Sequence, residues 1–242
     1  MTKSNYICAC EMNMKEYAKL FSYEPLSDDT CAVTGYLGDE PTSLLIPEQD
    51  PEGRVVVAIG DRAFANTASL RAVTLPDSVE SIGVRSFAFC AGLLDVRLSS
   101  ESRLCSIGNR AFMGCERLTV LRFGRLQNLV SLGRSVFAYC TRLRSVVLPE
   151  GLYEVAPSLF EGCTALEHIH LPSTLTVIRT AAFSACGALR VLTLPASVKV
   201  IEDCAFAWCG RLTDLRLPES ACLIAASAFK DCVELDDVLK VG

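Results

Sequence analysis

The sequence predicts an α/β solenoid: a right-handed coil of about eight short units, with a β-hairpin capping its N-terminal end. Three observations carry this. Eight phenylalanines (Phe64, Phe87, Phe112, Phe137, Phe160, Phe183, Phe206 and Phe229) follow one another at steps of 23 or 25 residues. Three residues after each Phe comes a cysteine, from Cys90 to Cys232, with Thr67 in that place in the first unit. Each unit then closes on L-x-x-L/V-x-L, usually followed by Pro. A period of this length marks a repeat that buries its apolar side only against its neighbours.

Taken in order, residues 1–20 read as a tail or short helix, with ACEMNMKEYAKL as the helical candidate. Residues 21–46 read as the capping hairpin and 47–242 as the repeat array. The first unit, Pro47 to Leu75, is irregular and carries the charged insertion EQDPEGR; later units start at Pro76, Ser99, Gly124, Pro149, Pro172, Pro195 and Pro218. Within a unit, the closing segment alternates apolar and polar residues as a half-buried strand does. Pro then fixes φ and removes a donor, which stops the strand. The V-x-x-I segment reads as a second short extended run. In A-F-x-x-C the three-residue spacing puts Phe and Cys on one side of a single helical turn. Gly60, Gly83, Gly108 and Gly133 follow the Ile position, where later units carry Ala156, Arg179, Glu202 and Ala225, so the turn is expected not to demand glycine. Two extra residues before Ile107 and before Leu132 predict a bulge or wider turn in those units.

Half the residues are apolar, enough for a core, and no run reaches the ~18 apolar residues of a membrane span. The N-terminus has no uninterrupted apolar stretch or cleavage site of a secretory signal, so the chain as given is expected to be cytoplasmic. Seven of the thirteen cysteines share one repeat position. Buried thiols behave as small hydrophobes, and side chains pointing the same way are poorly placed for bridging, so these are expected to be reduced. Cys8 and Cys10 lack a second pair of ligands and make a poor zinc site. The net charge of −5 conceals banding: residues 1–54 carry −6, while nine arginines against Glu101 and Glu116 give residues 97–144 a charge of +7. Residues 145–242 return to −5, leaving a basic belt between acidic ends.

Eight copies of I/V/L-x-x-x-x-F-x-x-C/T-x-x-L, together with the segment from Phe21 through Gly35-Tyr36 to Pro47, resemble the BspA-type leucine-rich repeats. That family comprises surface and secreted proteins of bacteria and protists. The resemblance implies a leucine-rich-repeat coil, a role in adhesion or protein recognition, and a cell-surface or secreted location as the alternative to the cytoplasm.

Side chains alternate along a strand, so the two residues flanking each buried Leu/Val should face solvent. Stacked, these pairs form a face from Ala72/Thr74 through Asp95/Arg97, Val120/Arg122, Ser145/Val147, His168/His170 and Asp214/Arg216 to Asp237/Leu239. Asp95, Arg97, Arg122, Arg144, His168 and His170 are the candidate ligand-binding residues. Arg97 and Arg122 are expected side by side, with Arg144 and Arg71 extending the cluster and Asp95 partly neutralising Arg97. Arginine forks suit carboxylates and phosphates, which points to an acidic protein segment or another polyanion. His168 and His170 share one face, but Ser145, Val147, Val191 and Thr193 beside them are poor metal ligands. Phe89, Tyr139 and Trp208, each just before a ladder cysteine, mark a second, convex surface. No paired catalytic carboxylates, phosphate loop or nucleophile elbow is present, so no enzyme and no cofactor is expected. Nucleic acid is disfavoured by the acidic ends and the scarcity of aromatics on the strand face. The expected function is a non-catalytic protein-interaction module; the alternative is an adhesin, or a fragment of one, binding host matrix protein or glycan.

Overall fold

The structure, a computed structural model, describes residues 13–122, 128–218 and 223–235, with Leu121 and Arg122 described by backbone alone. Helix α1 (Met14–Ala18) precedes β1 (Phe21–Pro25) and β2 (Thr30–Tyr36). The chain continues through β3 (Ser43–Leu45), β4 (Val55–Ile59), β5 (Ala72–Thr74), β6 (Ser81–Ile82), β7 (Asp95–Arg97) and β8 (Ser106–Ile107). It then forms β9 (Val120–Arg122), β10 (Ser131–Leu132), β11 (Ser145–Val147), β12 (Glu154–Val155) and β13 (His168–His170). The last strands are β14 (Val177–Ile178), β15 (Val191–Thr193), β16 (Val200–Ile201), β17 (Asp214–Arg216) and β18 (Leu223–Ile224). From β3 onward the odd-numbered strands stack on one face and the even-numbered strands on another, in parallel register. β1 runs antiparallel to β2 at the end of the even face.

The third side of each coil corrects the expectation of an α/β fold with helical turns. The molecule is a β-solenoid of about eight turns, and α1, N-capped by the Asn13 side chain, is the one α-helix among the described residues. The F-x-x-C segments are runs of turns in which, in every coil but the last, the residues two before and two after Phe adopt positive φ, as at Arg85 (56°) and Phe89 (60°). An α-helical turn would direct amides to carbonyls within its own coil. Here alternate amides reach across to the next one: Phe87 N donates to Ala111 O (2.8 Å), and Phe89 N to Met113 O (2.7 Å). A three-residue spacing serves both conformations, but only the cross-coil pattern satisfies this backbone while coils stack at one strand spacing.

Inside, the phenylalanine rings form an unbroken stack from Phe64 to Phe229, with centroids 5.2–5.7 Å apart and neighbouring planes within 15° of parallel. Leu, Ile and Val ladders surround it. The ladder thiols are free and buried, and each donates to the carbonyl of the Phe one coil earlier: Cys90 Sγ to Phe64 O (3.1 Å), Cys163 Sγ to Phe137 O (3.2 Å), Cys232 Sγ to Phe206 O (3.0 Å). A methyl group would fill the volume without reaching that carbonyl, so the thiol combines apolar size with a weak donor. Burial pushes Cys90 up to about 11 and Cys115, Cys140 and Cys163 well above the ordinary thiol value.

Glycine after the Ile position is required in part of the array. A Cβ at Gly108 or Gly133 would lie 2.8 or 2.6 Å from a backbone nitrogen of the coil before. The close approach holds only up to the interruption of the even face between β10 and β12, beyond which Ala156 and Arg179 occupy the same place. In the first irregular unit, EQDPEGR folds into a turn around Asp50. Its buried carboxylate accepts from Arg54 Nε (2.6 Å), Arg54 N (2.9 Å) and Glu52 N (3.0 Å).

Candidate functional site: the strand-lined face

The odd-numbered strands present the outward pairs. In β11 and β13, Ser145 pairs with His168 and Val147 with His170, while the central residue Val146 is buried. His168 and His170 are exposed, and the paired neighbours Ser145 and Val147 offer them no metal ligand.

The arginine belt is arranged differently from the expected cluster. Arg97 Nε is bonded to Asp95 Oδ2 at 2.7 Å on the same strand, so this guanidinium carries its own counter-ion. Asp214 and Arg216 repeat the pairing on β17 at 3.4 Å. Arg97 and Arg122 are not ladder neighbours: among the described residues β7 and β9 share no strand pairing, because the face is interrupted there, in the 25-residue unit. The Arg122 side chain lies outside the described residues, as do Asp237 and Leu239. Arg144, just before β11, is exposed and has no carboxylate within ion-pair distance among the described residues. Its backbone ties two coils together, accepting from Glu167 N (3.0 Å) and His168 N (3.1 Å). The structure therefore brings Arg144 beside the histidine strand and sets the Asp95–Arg97 pair apart from both.

Sequence reasoning missed a cleft of about 760 Å³ where this face meets α1. Its lining mixes Lys15 and Arg97 with Glu48 and Asp77 over Leu45 and Leu98. No repeat position announces it, because the helix and the irregular first unit build half of its wall. On the opposite face Arg179 clamps three coils, bonded to Glu154 (2.7 Å) and Glu202 (2.8 Å).

The BspA type leucine rich repeat region matches in six copies, over residues 57–190 and 130–239. The chain belongs to the BspA-type leucine-rich-repeat family. Among solved structures this BspA-type chain is similar to the T. pallidum leucine rich repeat protein TpLRR, at 32% identity over 92% of this chain and 91% of that one, with a TM-score of 0.64. It shares its fold with a leucine rich cell surface protein from Faecalibacterium prausnitzii A2-165, at 24% identity, 89% and 86% coverage and a TM-score of 0.65. No curated protein matches it. No helix among the described residues of this BspA-type solenoid is long and apolar enough to cross a membrane.

Proposed function

We propose that the chain is a non-catalytic protein-interaction module that binds an acidic segment of a protein partner through its strand-lined face. The observation that carries this reading is the surface around β11 and β13. There the exposed Arg144 adjoins His168 and His170 on strands held in register, with Val147 exposed between them. Flat, rigid strand faces are where solenoids present binding residues. Arg144 supplies a planar donor fork without an internal counter-ion, suited to a carboxylate. Arg97 contributes only if a partner displaces or shares Asp95, and Arg122 is the next arginine on this set of strands, on β9. The β1–β2 hairpin closes the array as its N-terminal cap.

The test is affinity capture from the source organism's lysate and from host matrix proteins, comparing the wild type with Arg97→Glu/Arg122→Glu/Arg144→Glu. A partner retained by wild type and lost by the folded triple variant supports the belt. Equal capture by both proteins sinks it.

A further inference from the structure

A second surface lies on the turn corner, away from the strand-lined face. Two residues before the buried Phe, the first three coils place Arg62, Arg85 and Arg110. Each has positive φ (56°, 56° and 59°) and donates its amide to the next coil: to Val84 O (2.9 Å), Asn109 O (3.0 Å) and Arg134 O (2.9 Å). The three arginines thus stack at one strand spacing, ~4.8 Å, and the column ends at Ser135 in the fourth coil. None of the three has a carboxylate within ion-pair distance among the described residues. The nearby Asp61 has its Oδ1 occupied by the amide of Val84 (2.7 Å).

The backbone does not ask for arginine here. Ser135, Ser158, Ala181 and Cys204 take the same position in later coils with φ of 55–57°. Stacked like charges repel, so the column costs stability unless an anion lies along it. Sequence reading passed over it, although the constant offset from Phe was the available signal.

On the other side of the Phe ladder, two residues after it, stand Phe89 and Tyr139, 50% and 45% exposed. Their φ of 60° is left-handed, and each ring lies over a glycine of the next coil. A Cβ at Gly114 would fall 2.6 Å from Phe89 Cδ1, and one at Gly162 would fall 2.7 Å from Tyr139 Cδ1. Tyr139 is further fixed by its hydroxyl on Glu161 (3.1 Å). Two rigid aromatic platforms, two coils or ~10 Å apart, therefore flank a row of unpaired guanidinium forks.

We infer that this corner binds an acidic polysaccharide laid along the solenoid axis. Aromatic platforms take the apolar faces of pyranose rings, as amphipathic rings do wherever one face must be apolar and the rim wet. The arginines take the carboxylate or sulfate oxygens in forked, charge-assisted bonds. An acidic peptide offers the charge without rings for the platforms. A nucleic acid brings far denser charge, against the acidic flanks of the belt.

The experiment is calorimetric titration of the full chain with oligogalacturonate and with dextran sulfate, using neutral dextran and polyglutamate as controls. Binding to one or both acidic sugars should be at least ~10-fold tighter than to either control. Arg85→Gln/Arg110→Gln and Phe89→Asn/Tyr139→Asn should each weaken it by at least ~10-fold while still unfolding in one cooperative thermal transition, and the arginine variant should melt no lower than the wild type. Asn is chosen because it tolerates positive φ. A preference for the uronate or for the sulfate identifies the acidic group. Polyglutamate binding as tightly as the acidic sugars, tighter binding of a single-stranded RNA, or no loss in the folded variants overturns the inference.

Discussion

The thiol of Cys163 donates to the carbonyl oxygen of Phe137, 3.2 Å away in the preceding coil, and the same oxygen also accepts the amide of Cys140 at 3.2 Å. One carbonyl thus closes a turn within its own coil and ties down the coil that follows. Removing the thiol leaves that oxygen still bonded, so Cys163→Ala should cost only about 1–2 kcal/mol, the scale of a small cavity plus one weak bond. Phe160→Ala, which opens the ring stack, should cost about 3–5 kcal/mol. Urea melts of the two variants check the order; a larger loss for Cys163→Ala contradicts the assignment of the Phe stack as the main support.

The buried thiols make stability depend on alkaline pH. Burial raises Cys90 from its ordinary value of 9.0 to about 11. The folded chain holds this proton while the unfolded chain releases it, so the contribution is fully present below pH 9 and is lost as pH rises from 9 to 11. Each such thiol costs ~1.4 kcal/mol per pH unit in that window. Denaturant midpoints should fall steeply between pH 9 and 10, and Cys90→Ala should lower the slope by about one proton. A flat profile refutes the buried ladder.

Asp50 gives the opposite sign in acid. Burial alone would raise its carboxyl, but hydrogen bonds from Arg54 and from the Glu52 amide outweigh it and hold the group below the usual carboxylate range. Its contribution is present above the unfolded value and lost as pH falls through the lower folded one. Asp50→Ala should destabilise by about 1–3 kcal/mol at neutral pH, and the wild type and variant should converge in acid. Melting curves at pH 7 and pH 2.5 decide this.

Tyr139 and Gly162 should be energetically coupled. Gly162 has φ 71°, and a Cβ there would meet the tyrosine ring. Gly162→Ala is expected to cost about 1–2 kcal/mol from the left-handed backbone, plus a term for the displaced ring. In a Tyr139→Asn background only the backbone term should remain. A double-mutant cycle giving no coupling would mean that the ring does not rest on the glycine.

Much of this architecture is legible in the residues. The Phe ladder and the outward pairs such as Ser145/Val147 follow from strict periodicity, because repeats of one length must stack like upon like. The conformation of A-F-x-x-C was not legible, since Phe and Cys three apart fit a helical turn as well as the left-handed turn that forms. The separation of Arg97 from Arg122 escaped for a different reason: β7 and β9 share no pairing whereas β9 and β11, the same 25 residues apart, do, so spacing alone does not say where the face breaks. The pairing of Arg97 with Asp95 was partly legible, being an i, i+2 contact on one strand face.

The interruptions of the two strand faces fall at different heights. The even face is broken between β10 and β12, where β11 and β13 on the odd face remain paired. The odd face is broken between β7 and β9 and between β13 and β15, where β6–β8 and β12–β14 hold. The joints are offset as in bonded brickwork, and the ring stack runs through all of them. Among the described residues no single plane between coils crosses two gaps, so each break in one face is spanned by paired strands on the other.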